Sequence, residues 1–273
     1  MGLQVRARFP AGAHPGLLRG FMEVEMKRTL ILLYGIVCYL VFLAVFLRAI
    51  WFVWTMDSAA ATGSWIRAVL IDAGLLSAFA IQHSGMARQG FKRAWTRIVP
   101  RAAERSTYVL FASLVLLAVV EFWQPIPGVI WHVEAQPAIV VLHGLFWFGW
   151  ALLFVCTLLI DHFDLFGLKQ VGRNWRGKPY EPPTFKAPGP YRMVRHPLYL
   201  GFLIAFWSAP VMTSAHLFFA VMCTGYILVA IQLEERDLVK FHGEQYRLYR
   251  SAVSMIVPWP SKKKQPEPAR ELR

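Results

Sequence analysis

The chain has 273 residues, of which 56% are hydrophobic and only 16% charged. Soluble domains average about 45–50% apolar and about 25% charged residues, so a soluble fold is excluded, and the abundance of Trp and Phe excludes disorder. The formal charge of +13 suits either nucleic acid or a membrane surface, and its distribution along the chain selects the membrane, with no nucleic-acid partner.

Residues 1–25 lack an apolar core and a cleavage site, so they do not read as a signal peptide. Two readings stand open: Met26 as the true start, or a loose cytoplasmic arm over residues 1–29. Four apolar stretches follow, roughly Leu30 to Val53, Trp65 to Gln82, Thr107 to Trp123 and Ile139 to Ile160. Each approaches the length needed to cross a bilayer, about 20 residues of helix. A fifth stretch, Leu198 to Leu233, is about twice that length and is interrupted by Pro210 and Thr213-Ser214. It reads as two helices in a hairpin, which makes six spans.

Lys and Arg orient them. Residues 1–29, 84–106, 161–197 and 236–273 hold 27 of the 29, while the connections 54–64 and 122–138 hold none. The other two, Arg48 and Arg67, lie near the outer ends of the first two spans, where long side chains snorkel to water. The positive-inside rule places both termini and the two long loops in the cytoplasm. The expected fold is therefore all-α: a polytopic integral membrane protein of six transmembrane helices with a C-terminal helical hairpin. It divides into the arm 1–29, a four-helix transmembrane region 30–160, a loop, hairpin and C-terminal segment 161–257, and a basic tail 258–273. Cys38, Cys156 and Cys223 lie far apart inside spans, so neither a disulfide framework nor a thiolate metal site is expected.

Chemistry-bearing residues gather on the cytoplasmic side. Arg195-His196-Pro197 sits at a membrane boundary, with Pro197 suited to a first helical turn, His196 at the N-cap and Tyr199 one turn on. Glu234-Glu235 closes the last span, and adjacent carboxylates there are costly unless they meet water or a cation. A hairpin brings its two open ends together, so these carboxylates should lie beside Arg195, His196 and Tyr199 and can hold a small cationic ligand bearing hydroxyls. The bland alternative is an interfacial anchor of Arg, His and Tyr, followed by an interfacial helix over Phe241 to Arg250.

The pattern Arg195-His196-Pro197-x-Tyr199-x-Gly201, then Glu234-Glu235, then Phe241-x-Gly243-Glu244-x-Tyr246-x-x-Tyr249 resembles the isoprenylcysteine carboxyl methyltransferase type of membrane enzyme. Gln82-His83-Ser84-Gly85-Met86-Ala87-Arg88, Glu104 to Tyr108, Phe163 to Val171 and Glu234 to Leu238 look like the methanethiol S-methyltransferases of the nurim family. The resemblance implies methylation of a small thiol, methanethiol to dimethyl sulfide, with S-adenosylmethionine as cofactor. It also implies that Gln170, Tyr191, His196, Pro197, Tyr199 and Glu234 line the cofactor site, with Thr184 and Phe185 matched by position. One departure matters: the prenylcysteine enzymes carry an arginine four residues before the cofactor glutamate, and Ala230 stands here. That suits a substrate with no carboxylate to clamp.

A free thiol with a pKa near about 8.5 needs a base or a nearby cation to react as thiolate. His83 is the candidate base, since histidine titrates in the right range, and Arg88 or Arg105 can stabilise the thiolate. The alternatives are a hydrogen-bonded membrane histidine and ordinary positive-inside arginines. A prenyl thiol or lipid amine is the rival substrate class. A non-enzymatic nurim-like protein and a haem protein using His83, His143 or His216 are the rival functions.

Overall fold

A computed structural model of the protein describes residues 15–56 and 64–258. Most of the arm's first half, the connection 57–63 and the basic tail with Lys262-Lys263-Lys264 lie outside the described residues. The first helix, α1 (Pro15–Trp54), begins well before Leu30. Arg19 pairs with Glu23 one turn on, and Arg28 with Glu25 at 2.9 Å, the spacing that ties charges along one helix face. Half of the expected arm is thus a continuation of the first span.

Then come α2 (Trp65–Ala87), the short α3 (Gln89–Trp95) and α4 (Glu104–Phe122). Glu104 in the first turn of α4 suits the positive end of the helix dipole. Next are α5 (Gln136–Ile160), α6 (His162–Leu165) and α7 (Leu168–Trp175). A 3-10 turn at Gly189–Arg192 leads into α8 (Pro197–Trp207), α9 (Ser214–His242) and α10 (Glu244–Ala252). Five of these helices, α1, α2, α4, α5 and α9, are long and apolar enough to cross a membrane, whereas α8 has only 11 residues. Apolar side chains such as Leu70 and Val140 stand more than 60% exposed on their outer faces, as lipid contact requires.

Among the described residues, the fold departs from all-α in one strand pair. β1 (Val129–His132) pairs antiparallel with β2 (Val211–Thr213), matching Val129 with Thr213 and His132 with Val211. Trp131 adds an indole hydrogen bond to the Ala209 carbonyl at 3.0 Å. Backbone that leaves the helical state near a bilayer must find partners, and each strand supplies them to the other. The break expected near Pro210 is this strand, between the end of α8 and the start of α9.

Two glycine contacts hold the helices close. Gly149 of α5 meets Gly201 of α8 so tightly that a Cβ on either would stand 2.6 Å from the other's carbonyl oxygen. Four residues on, Ala205 is fully buried against the same face, which is the small-xxx-small pattern of membrane helix pairs. On the other side, Gly35 of α1 seats Val171 of α7. Arg48 pairs with Glu121 of α4 at 2.9 Å, a partner from a neighbouring helix in addition to the expected water. Contacts between α8 and α9 run from His196 with Glu235 at one end to Phe206 with His216 at the other.

Candidate active site

The site assembles where α5 ends. Asp161 turns the chain with φ 150° and ψ 85°, a conformation that costs a non-glycine residue about 1–3 kcal/mol. Its carboxylate offsets that cost by accepting the Asp164 N–H at 3.1 Å and by pairing with Lys169. The turn buries His162, whose Nδ1 lies 2.9 Å from the Thr157 hydroxyl and Nε2 2.9 Å from the Tyr39 hydroxyl. Burial lowers the His162 pKa, so the folded state favours neutral imidazole. The unfolded chain then binds the extra proton below about pH 6.5, and stability falls as pH drops through that value. Melting curves between about pH 7 and pH 5 should show this loss, and His162→Gln should flatten it.

Beyond the turn, Gly167 adopts φ +88° against Ser106, and α7 then presents Gln170. The Gln170 amide donates to the Asp164 carbonyl at 3.2 Å, and its own carbonyl oxygen is buried without a hydrogen-bond partner. Tyr180 donates to the Asp164 carboxylate at 3.1 Å, and burial, helped by that bond, pushes its phenol up to about 12. In the 3-10 turn, the buried Tyr191 hydroxyl has the Cys156 thiol beside it and no hydrogen-bond partner in oxygen or nitrogen. The Tyr249 hydroxyl donates to the Tyr191 carbonyl at 2.6 Å, which ties this turn to α10. Phe185 lies among the rings of His242, Tyr246 and Tyr249 at 5.2 to 5.8 Å, while Thr184 beside it is exposed.

His196 is the N-cap of α8 and Pro197 its first helical residue. The two glutamates of α9 have different neighbours. Glu235 is buried, and its Oε1 lies 2.7 Å from Arg195 Nε and 3.1 Å from His196 Nε2, with Arg250 at 3.8 Å. Glu234 accepts the Tyr199 hydroxyl at 3.0 Å and forms no ion pair among the described residues. One carboxylate is paired with cations of the protein, and the other, among the described residues, is not.

Residues from the first half of the chain meet this cluster. The Tyr108 hydroxyl stands 3.0 to 3.1 Å from the ring nitrogens of His83, whose other face stacks on Phe79 at 5.2 Å. Tyr226 of α9 reaches Ser84 at 3.1 Å. These contacts join α2 to α4 and α9, and Tyr199 of α8 meets Glu234 of α9. The arginines differ. Arg88 is paired with Asp237 at 3.0 Å, whereas Arg105 donates to the Leu165 carbonyl at 2.8 Å and lies 5.1 Å from the Tyr108 ring centre. Arg105, which forms no ion pair among the described residues, thus lies near His83 through Tyr108. His143 and His216 line a separate cavity of about 300 Å³ with Trp54 and Ser208 at the other end of the helices.

The rings of Phe79, Tyr108 and Tyr226 were not assigned from the sequence. Tyr226 carried one usable signal, a hydroxyl in the middle of an apolar span.

Known proteins resemble the chain over most of its length. The chain is 54% identical over 241 residues to a methanethiol S-methyltransferase of Mycobacterium tuberculosis, covering 86% of this chain and 98% of that one. The chain belongs to the methanethiol S-methyltransferase family. A second such enzyme, from Crocosphaera subtropica, is 49% identical across 87% of this chain and 95% of its own length. Human nurim is 35% identical over 179 residues, spanning 61% of this chain and 66% of nurim. No protein-family model matches the chain, and no solved structure matches it with significance. Family membership makes a methyl donor part of the site. The buried Gln170 carbonyl oxygen without a hydrogen-bond partner, with the Glu234 carboxylate that forms no ion pair among the described residues, fits a polar, positively charged donor.

Proposed function

We propose that this protein methylates methanethiol to dimethyl sulfide, taking the methyl group from S-adenosylmethionine bound at the cytoplasmic ends of α5, α8 and α9. The observation that carries the reading is the contrast between the two glutamates: Glu235 is neutralised by Arg195, His196 and Arg250, and Glu234 is not. Gln170, Tyr191, Tyr199 and Glu234 hold the donor. His196 and Pro197 position Tyr199 by fixing the start of α8, and Thr184 and Phe185 belong to the strap that α10 holds over the site.

When bound, S-adenosylmethionine supplies an electrophilic methyl whose bond to sulfur breaks with its electron pair remaining on the now neutral sulfur. The protein's task is alignment, which can supply about 7–11 kcal/mol of the barrier, and provision of a thiolate. His83 takes the thiol proton, while the Tyr108 hydroxyl orients its ring. Arg105 stabilises the thiolate. Arg88, held by Asp237, anchors α2 to α9 and adds to the positive rim. Ala230 leaves no cation for a substrate carboxylate, which favours a small neutral thiol over prenylcysteine substrates.

In the same reading the chain lies in a bacterial inner membrane with six crossings, α8 and α9 forming the last hairpin. Both termini and the site then face the cytoplasm, where 27 of 29 Lys and Arg reside. Purified protein given S-adenosylmethionine and methanethiol should release dimethyl sulfide, read by headspace gas chromatography. No product despite donor binding would redirect the search to prenyl thiols and lipid amines. His83→Ala should lower turnover about a hundredfold with donor affinity within about twofold of the parent, and unchanged turnover would remove His83 from the mechanism.

A further inference from the structure

Gln170 holds a buried oxygen that the fold itself does not use. The residue is 9% exposed, and its side-chain carbonyl oxygen has no hydrogen-bond partner among the described residues. An amide carries donors on one side and an acceptor on the other, so whatever meets its donors decides where the acceptor points. The Gln170 NH2 group meets two atoms of one residue, the Asp164 main-chain carbonyl at 3.2 Å and the carboxylate Oδ1 at 3.4 Å. Both only accept, so turning the amide over would break both contacts and set oxygen against oxygen. Asp164 is itself held in place. Its N–H donates to the Asp161 carboxylate at 3.1 Å, and its Oδ2 accepts the Tyr180 hydroxyl at 3.1 Å. The Gln170 carbonyl oxygen is thereby aimed away from Asp164, and a buried acceptor left without a partner weakens a fold unless something else uses it.

We propose that Asp164, braced by Tyr180, is a positioning residue that turns the Gln170 carbonyl oxygen toward the methyl donor, where it accepts one N–H or O–H. The inference rests on the donor assignment above and gives that site a polarity. Position 170 takes a hydrogen-bond donor of the ligand and rejects an acceptor. S-adenosylmethionine offers three such groups: the adenine amino group, the ribose hydroxyls and the ammonium. An analogue lacking the group that is used leaves the oxygen unpaired and is discriminated against.

The test reads S-adenosylhomocysteine affinity by calorimetry on detergent-purified protein, without turnover, and exchanges the amide and carboxylate between positions 164 and 170. Gln170→Glu sets a carboxylate against the acceptors of Asp164 and should weaken binding by about ten- to a hundredfold. Asp164→Asn alone should weaken it by about two- to fivefold, since the main-chain carbonyl still holds the Gln170 amide. Together, the new amide at 164 donates to the new carboxylate at 170, and the double variant should bind about fivefold or more tighter than Gln170→Glu. A double variant that shows only the product of the two single losses would overturn the positioning role of Asp164. Gln170→Met conserves volume, should weaken binding by about three- to tenfold, and serves if Gln170→Glu fails to insert stably. Parent-like binding by Gln170→Met would overturn the proposal, since water alone would then satisfy the oxygen. Three kinds of analogue locate the partner: S-inosylhomocysteine lacks the adenine amino group, the deoxyribose forms lack a hydroxyl, and methylthioadenosine lacks the ammonium. Gln170→Met should erase the parent's discrimination against one kind, and erasing none would overturn the assignment. A parent protein that binds neither S-adenosylmethionine nor S-adenosylhomocysteine would instead remove the donor site on which the inference depends.

Discussion

Glu234→Ala should lose S-adenosylmethionine affinity by about 10- to 150-fold in calorimetry, the equivalent of one or two hydrogen bonds to a charged group, and should melt like the parent. Glu235→Ala, one residue away, should do the reverse and unfold first. The reason lies in what each carboxylate touches. Removing Glu235 strands Arg195, which is 11% exposed at its side chain, and leaves His196 without its acceptor. Breaking a buried ion pair from one side costs about 3–5 kcal/mol, a large part of an ordinary stability margin. Removing Glu234 frees only the Tyr199 hydroxyl, which can turn to water. If Glu234→Ala binds the donor like the parent while Glu235→Ala does not, the two assignments are exchanged and the site must be redrawn around Arg195.

Gly201→Val should have the largest effect on the fold. Its Cβ would stand 2.6 Å from the Gly149 carbonyl oxygen and 3.0 Å from the Leu153 nitrogen. These are backbone atoms of α5 and cannot swing aside, so the cost should exceed the usual 1–3 kcal/mol of overpacking, at about 3 kcal/mol or more. Protein that still inserts should carry α8 displaced, and Tyr199 with it. A shift of about 1 Å at a positioning group can cost about a hundredfold in rate. Gly144→Ala is the control on α5, since nothing lies within 4 Å of its added Cβ; its melting temperature and turnover should match the parent. Equal behaviour of the two variants would show that α5 and α8 do not depend on close backbone approach.

Hydropathy made the long apolar helices legible. Spans of nearly 20 apolar residues cannot be hidden: the helices containing Phe111 and Phe154 follow the predicted stretches closely, and the one containing Cys38 ends within a residue of its own. The early start of α1 was not legible, because its first turns are stabilised by charge pairs such as Arg19 with Glu23 rather than by apolar periodicity. The β1–β2 pair was invisible for another reason. Strands of four and three residues show no period, and Val129 and Thr213 are brought together only by folding. At the site, Arg195, His196, Tyr199 and the two glutamates were predicted as neighbours, and they are. Which glutamate is spent on Arg195 depends on helix phase at a single residue, and spacing along the chain does not resolve it.

The shortness of α8 gives the lipid itself a hand in the chemistry. Eleven residues rise about 16 Å, roughly half the hydrocarbon thickness of a bilayer. Tyr199 thus hangs on a short rod tied at one end by Glu235 holding His196, and at the other by a strand paired to β1. A thicker bilayer pulls on both ties, and a thinner one relaxes them, at fractions of a kcal/mol per ångström. Turnover in vesicles should then follow acyl-chain length, so that an organism adjusting its membrane to temperature also retunes this enzyme.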